Sequence, residues 1–149
     1  MAQVISSFRG KFEFLSNFYT ISVVYEGRIY PSSEHAFVAA KTLDEDIRAA
    51  IALVPTAGKV KKLGKTLTLR NDWNAVKINE MRRILEDKFS PSRTDVPIFQ
   101  WLTDTAPAIL IEGNAWGDRF WGQSPVGEGR NELGKILMSI RDDITRLFE

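Results

Sequence analysis

Glu34 and Lys41 are the two side chains whose types and spacing first indicate chemistry. They lie seven positions apart after Pro31 and two serines, a combination that favours the start of a helix. Seven residues make about two turns of an α-helix, so the carboxylate and the amine would share one face and point into one cleft. Such a pair can transfer protons or attack a substrate, although exposed helices carry the same pair without a catalytic role.

A glycine-rich stretch from 113 to 134 is the second region that indicates binding or catalysis. It holds six of the ten glycines, together with Trp116, Asp118, Trp121 and Gly122. Glycine lets the backbone approach a ligand closely, indole rings can stack on a flat base, and the amides that begin the following helix can hold a phosphate. A rigid surface loop whose tryptophans pack into the core fits the same composition.

Other chemistries lack the residues that they need. One histidine and no cysteine leave too few ligands for a zinc site, and no carboxylates cluster as magnesium requires, so we predict no metal and no cofactor. The chain has no Gly-x-Ser-x-Gly elbow, so a serine-hydrolase triad with His35 is disfavoured and a structural hydrogen-bonding role for His35 is favoured. The segment 58–66 resembles a phosphate-binding P-loop, but its glycine spacing fails because position 59 is lysine; we interpret it as a basic helix.

The elements that must position these residues are predicted to be mostly helices. An apolar stripe after Asp72 predicts a long helix, and Phe99 with Leu102 predicts a short one. The capping residues that predict helix starts are Ser32 or Ser33, Asp44, Thr56 and Asp72. The long stripe consists of Trp73, Val76, Ile78, Met81, Ile84, Leu85 and Phe89. A final helix carries Leu133, Ile136, Leu137, Ile140, Ile144 and Leu147.

Short strands are predicted near the N-terminus. The segment 11–14 alternates polar and apolar residues, and the segments 21–25 and 28–30 flank a Glu-Gly pair at 26–27 that favours a hairpin. An apolar run at 108–111 fits a strand or a helix equally well. The predicted fold class is therefore mainly α (α+β): a compact, multi-helical single domain with a small N-terminal β-sheet.

The bulk composition limits the class of protein. A chain of 149 residues with 44% hydrophobic residues fits one globular domain over 1–149, and its net charge of +1 does not draw it to nucleic acid or a membrane. We expect no signal peptide and no membrane-spanning segment. The absence of cysteine fits a reducing compartment, so we expect a cytoplasmic location.

Five separated motifs, in order along the chain, resemble those of the NADAR family, which includes the YbiA-like N-glycosidases. They are 14–18 (FLSNF), 30–37 (YPSSEHAF) with 39–41 (AAK), 70–73 (RNDW), 118–122 (DRFWG) and 131–134 (NELG). The resemblance implies a compact, mainly helical YbiA-like fold. It also implies hydrolysis of a ribose–nitrogen bond, either in ADP-ribose attached to guanine or in a phosphoribosylamino-pyrimidine intermediate of riboflavin synthesis.

The resemblance also implies roles for individual residues. Glu34 corresponds to the catalytic glutamate of the family. The residues that fall in motifs lining the family's pocket are Asn17, Lys41, Trp73, Asp118, Trp121 and Asn131. After Trp121-Gly122 the chain continues Gln-Ser-Pro, where YbiA-like members place an acidic residue and more glycine. That departure bears on the riboflavin-intermediate substrate more than on the reaction.

A mechanism follows from the chemistry of such a bond. Loss of the base develops positive charge on the sugar, so Glu34 is predicted to stabilise this charge or to activate water, while Asp118 assists or holds a ribose hydroxyl. Alternatively, the neutral amine of Lys41 captures the opened sugar as a Schiff base. Base stacking is predicted for Trp121, Trp73 or Phe18, and phosphate contacts for Arg9, Lys65 or Arg70. His35 and Gly122 complete the predicted substrate-binding set.

Two other classes of protein fit the same residues. A non-catalytic module that binds ADP-ribose or a related nucleotide would use the aromatic and phosphate contacts but would tolerate Glu34→Gln. A nucleic-acid protein that reads modified guanine would show strongly salt-dependent DNA binding. The preferred partner is a small nucleotide-like substrate, including ADP-ribosylated guanine within nucleic acid.

Overall fold

Polar side chains begin three helices where the sequence predicts them. Ser32, Asp44 and Thr56 each accept a hydrogen bond from a backbone N–H two or three positions ahead. The first turn of a helix has no internal partner for these N–H groups, so each cap stabilises a helix start. The helices that follow are α1 (Ser33–Ala40), α2 (Glu45–Ala52) and α3 (Ala57–Gly64).

The computed structural model describes residues 3–149. The remaining helices in that range are a 3₁₀ helix (Gly10–Leu15), α4 (Trp73–Lys88), α5 (Ile98–Thr103) and α6 (Glu132–Leu147). The strands are β1 (Val4–Ile5), β2 (Val23–Tyr25), β3 (Arg28–Tyr30) and β4 (Ile109–Leu110). Strands β2 and β3 pair antiparallel and β1 and β4 pair parallel, so each sheet has two strands. The predicted mainly helical fold class is confirmed.

Backbone contacts divide the chain into two compact units. The central unit is Asn17–Lys88, and the terminal unit combines Met1–Ser16, described from residue 3, with Phe89–Glu149. In the central unit α1 packs against α2, α3 and α4, and α4 also covers β2. In the terminal unit α6 packs against α5 and β4. The prediction of one domain over 1–149 stays a prediction.

The predicted hairpin forms, but the strand predicted at 11–14 is wrong. Glu26 and Gly27 both have positive φ, at 47° and 79°, which suits the tight turn between two twisted strands. Residues 11–14 lie in the 3₁₀ helix instead. Its three-residue turn buries the consecutive side chains of Phe14 and Leu15, and alternation over only four residues does not distinguish that arrangement from a strand.

Helix α4 buries most of the predicted apolar stripe: Trp73, Met81, Ile84 and Leu85 are buried, and two positions differ from the prediction. Ile78 is 37% exposed, whereas Glu80 is buried. The Tyr25 hydroxyl donates to Glu80 Oε1 at 3.1 Å, and Arg83 pairs with the same carboxylate, so a charged group is stabilised on the inner face. Within the described residues no helix is both long enough and apolar enough to span a bilayer.

Candidate active site

Glu34 is the exception on an otherwise buried helix. Seven of the eight residues of α1 are buried, and only Glu34 retains partial exposure. It lies in the first turn, as predicted, where the positive end of the helix dipole stabilises a carboxylate. The sequence thus places one acidic group on a rigid element at the surface of the core, which is how a reactive group is held in a fixed position.

Asn17 braces the start of this helix. Its backbone oxygen accepts from the Glu34 N–H at 3.1 Å, and its side-chain oxygen accepts from the Ser33 hydroxyl at 2.9 Å. Its side-chain nitrogen contacts the sulfur of Met81 at 3.6 Å. These contacts hold Glu34 in position, and the predicted role of Asn17 in substrate binding stays a prediction.

Lys41 ends α1 close to α3. A Cβ atom on Gly64 would lie 3.0 Å from a methyl group of Val38 and 3.5 Å from Lys41 Nζ, so the glycine allows α3 to pack directly beside this amine. Burial lowers the pKa of Lys41, and the charges of Lys61 and Lys65 lower it further, while the charge of Glu34 opposes the shift. The two residues paired by sequence spacing therefore do interact.

The basic face of α3 adds a second lysine that the sequence analysis missed. Lys61 and Lys65 are one helical turn apart, and both act electrostatically on Lys41. Lys61 Nζ also lies 5.6 Å from the centre of the Phe18 ring, which is 45% exposed. The i,i+4 spacing from Lys65 was the available signal for Lys61. We call Glu34, Lys41, Lys61, Lys65 and Phe18 the lysine–glutamate cluster.

Both ring nitrogens of His35, which was predicted to bind substrate, have partners within the protein. Its ring is 1% exposed, with Nδ1 2.7 Å from the Ser32 hydroxyl and Nε2 2.9 Å from the carbonyl oxygen of Val54. A carbonyl oxygen can only accept, so Nε2 carries the hydrogen and Nδ1 accepts from Ser32. Because both nitrogens are occupied, His35 ties α1 to the segment after α2.

Arg70 and Trp73 are also used by the fold. The Arg70 guanidinium makes two hydrogen bonds to Asp72, at 2.7 and 3.1 Å, and contacts the carbonyl of Ala40, so its charge is already matched. Trp73 is 7% exposed and packs on Phe37 at 5.2 Å between ring centres. A buried indole offers no free face to a base, so these geometries argue against phosphate binding and base stacking, respectively.

In the terminal unit, Asp118 shapes the glycine-rich loop. Its Oδ1 accepts from the N–H groups of Phe120 and Trp121 at 3.1 and 2.9 Å. The side-chain amide of Asn114 donates to the Asp118 carbonyl and accepts from the Asp118 N–H. Trp121 is partly exposed and meets Phe120 edge to face at 4.8 Å. The loop is therefore ordered by its own side chains. The predicted pairing of Asp118 with Glu34 in catalysis stays a prediction.

Gly122 and Asn131 serve packing in the same unit. A Cβ on Gly122 would collide with the carbonyl oxygen of Glu112, so chain atoms fill the space that was predicted to admit a ligand. Asn131 is 5% exposed; its amide donates to the carbonyl of Leu110 at 2.9 Å and accepts from the Glu112 N–H at 3.0 Å. These two residues join the loop and the start of α6 to β4. Their predicted roles in substrate binding stay predictions.

The fold is mainly helical, and its central unit holds one partly exposed carboxylate that interacts with the amine of Lys41. A family model described as the NADAR domain matches residues 6–145. The chain therefore belongs to the NADAR domain family, and the resemblance of the five motifs is confirmed.

Relatives and a solved structure are consistent with this assignment. N-glycosidase YbiA of Escherichia coli is 35% identical over 131 residues, covering 87% of this chain and 79% of that protein. N-glycosidase Npun_R5314 of Nostoc punctiforme is 34% identical over 138 residues, covering 89% and 86%. The NMR structure of E. coli YbiA superposes with a TM-score of 0.82 at 33% identity, covering 97% of this chain and 87% of the other.

A longer relative shares the same region. Riboflavin biosynthesis protein VVA0006 of Vibrio vulnificus is 34% identical over 133 residues, which cover 88% of this chain. The chain spans about a third, 35%, of that protein's length.

Proposed function

We propose that the chain is an N-glycosidase that hydrolyses the bond between a ribose and a nitrogen of a phosphate-bearing, nucleotide-like substrate. The observation that carries the proposal is Glu34, the partly exposed carboxylate on a buried helix, held by Asn17 and coupled to Lys41. The prediction from the sequence agrees with the names of the E. coli and Nostoc relatives.

The charges of the lysine–glutamate cluster support a substrate that carries phosphate. The cluster contains three lysines and one glutamate, and Lys61 and Lys65 add to the effect of burial in lowering the pKa of Lys41. An anion that enters relieves this repulsion, because phosphate oxygens accept from lysine ammonium groups. Both substrates implied by the resemblance carry phosphate.

The exposed ring of Phe18 supports the proposal that the substrate carries a flat base. It lies beside Lys61 and is accessible over nearly half of its surface. Stacking on an aromatic ring accepts any flat base, so Phe18 replaces the buried Trp73 as the proposed stacking partner in the central unit. Trp121 stays a predicted contact in the terminal unit.

The reaction proceeds through charge that develops on the sugar. As the bond from C1′ to the base nitrogen breaks, its electron pair leaves with the base and positive charge spreads over C1′ and the ring oxygen. The Glu34 carboxylate stabilises that charge and takes a proton from the water that attacks C1′. The proton then passes from Glu34 to the leaving nitrogen, which regenerates the carboxylate and gives the free base together with the ribose phosphate or ADP-ribose.

Lys41 supports a second form of the same reaction. Its neutral amine attacks C1′, the base leaves with the bond electrons, and the ring opens to an imine that water hydrolyses to regenerate the amine. The lowered pKa of Lys41 favours the neutral amine that this route needs. We expect borohydride added during turnover to attach a reduced sugar to the peptide that contains Lys41, and Lys41→Arg to abolish the adduct.

The pH dependence of trapping tests the electrostatic argument. Lys65 lowers the pKa of Lys41, so Lys65→Gln should raise that pKa and move the ascending limb of the trapping rate to higher pH. Lys62→Gln is the matched control, since Lys62 is an exposed lysine of the same helix that has no such effect on Lys41. No adduct at Lys41 at any pH would assign the reaction to water activated by Glu34.

The function is tested by offering both substrate types without added metal. Guanine-ADP-ribosylated DNA and a phosphoribosylamino-pyrimidine are incubated separately with the protein, and released ADP-ribose or ribose 5-phosphate is followed by mass spectrometry. We expect release from at least one substrate, and the one consumed identifies the leaving base. Binding of ADP-ribose with no release from either substrate would instead identify a nucleotide-binding module.

A further inference from the structure

A pocket of about 470 Å³ lies wholly within the terminal unit, between the segment 6–9 and the glycine-rich loop. Its volume is within the range of roughly 300–1,000 Å³ that small-molecule sites occupy. We propose that this pocket binds a nucleoside monophosphate, with Arg9 on the phosphate and Trp116 on the base. This inference does not depend on the proposed reaction, because it concerns binding in the absence of turnover.

The walls of the pocket are fixed by backbone contacts. Asn114 N–H donates to the Gln123 carbonyl at 3.0 Å, and Gln123 N–H donates to the Glu112 carbonyl at 2.9 Å. Gly113 approaches Ser6 so closely that a Cβ would collide with the Ser6 carbonyl oxygen, which joins the loop to the N-terminal segment. The pocket is therefore formed before any ligand binds, and little ordering entropy is lost on binding.

Arg9 supplies an unmatched positive charge to this pocket. Its side chain makes no ion pair and no hydrogen bond within residues 3–149, whereas Arg119 in the same unit pairs with Glu128 at 3.0 Å. The other residues that line the pocket are uncharged, and three of them, Ser6, Ser7 and Ser124, carry hydroxyl groups. A guanidinium with adjacent hydroxyl donors matches the oxygens of a phosphate monoester.

Trp116 supplies the flat surface. Its side chain lines the same pocket and is 56% exposed, so the indole is accessible to a ligand in the pocket. Base stacking on an aromatic ring contributes about 1–3 kcal/mol per base. Because stacking needs only a π-face, the pocket selects a nucleotide by its ring and its phosphate together.

The test is calorimetric titration with GMP, guanosine and inorganic phosphate. We expect GMP to bind the wild type, and Arg9→Gln and Trp116→Ala each to weaken it about tenfold or more, as loss of a charged hydrogen bond or a stacked ring implies. Guanosine should bind Arg9→Gln as it binds the wild type. Phosphate should be insensitive to Trp116→Ala.

Controls separate this proposal from loss of folding and from failure of the proposed function. Arg119→Gln changes an exposed arginine of the same unit that does not line the pocket, so it should leave GMP binding unchanged. If Trp116→Ala does not fold, Trp116→Phe retains a ring and should bind GMP within a few-fold of the wild type. Equal GMP binding by wild type and Arg9→Gln would overturn the proposal, whether or not the protein cleaves any N-glycosidic bond.

Discussion

Glu34→Gln is expected to lower kcat about 10³-fold while leaving substrate affinity and Tm nearly unchanged. The substitution preserves the shape of the side chain and keeps the backbone bond to Asn17, but it removes the negative charge that faces the sugar cation. Loss of one electrostatic or acid–base contribution typically costs about 10²–10⁴-fold in rate. The measurement is single-turnover release of the base, with binding titrated separately.

Glu45→Gln is the matched control for this variant. Glu45 lies in the first turn of α2 as Glu34 lies in the first turn of α1, but it is exposed and pairs with Arg28. We expect it to retain wild-type turnover, because exposed ion pairs contribute little. Turnover by Glu34→Gln within tenfold of the wild type would exclude Glu34 as the residue that stabilises the sugar cation.

The helices and the place of Glu34 could be predicted because local rules decide them. Ser32, Asp44 and Thr56 begin helices by satisfying backbone N–H groups, and this depends only on the next three residues. The same rule put Glu34 in a first turn. The burial of Glu80 on α4 could not be predicted locally, because it depends on a distant partner, the Tyr25 hydroxyl, which donates to its carboxylate.

The predicted site was harder to resolve, because residue type does not show which partner a side chain takes. Arg70, Asn131 and His35 all have the chemistry to bind a nucleotide, yet the fold uses their donors and acceptors internally. Hydrogen bonds between residues far apart in the sequence cannot be predicted from a short motif. Lys61 was missed because the sequence indicates only a solvated basic helix at this position. The packing of α3 on α1, which brings Lys61 near Lys41, depends on the tertiary structure.

Gly134→Ala is expected to lower the stability of the protein by about 2–3 kcal/mol, because the new methyl group has no space. A Cβ at this position would collide with the carbonyl oxygen of Leu110 and with the side-chain amide of Asn131. Asn131 would then lose its bonds to Leu110 and Glu112, which join α6 to β4. Thermal unfolding should show a fall in Tm of roughly 5–10 °C for a chain of this size.

Gly58→Ala is the matched control and should act in the opposite direction. Gly58 is also helical and has no atom within 4 Å of its Cβ position, so the substitution adds only helix propensity. Stability should rise by about 0.4–1 kcal/mol through the reduced freedom of the unfolded chain. If the Tm of Gly134→Ala equalled that of Gly58→Ala, the close packing of Gly134 against Leu110 and Asn131 would not be needed for stability. The 131–134 motif would then be explained by ligand binding rather than by packing.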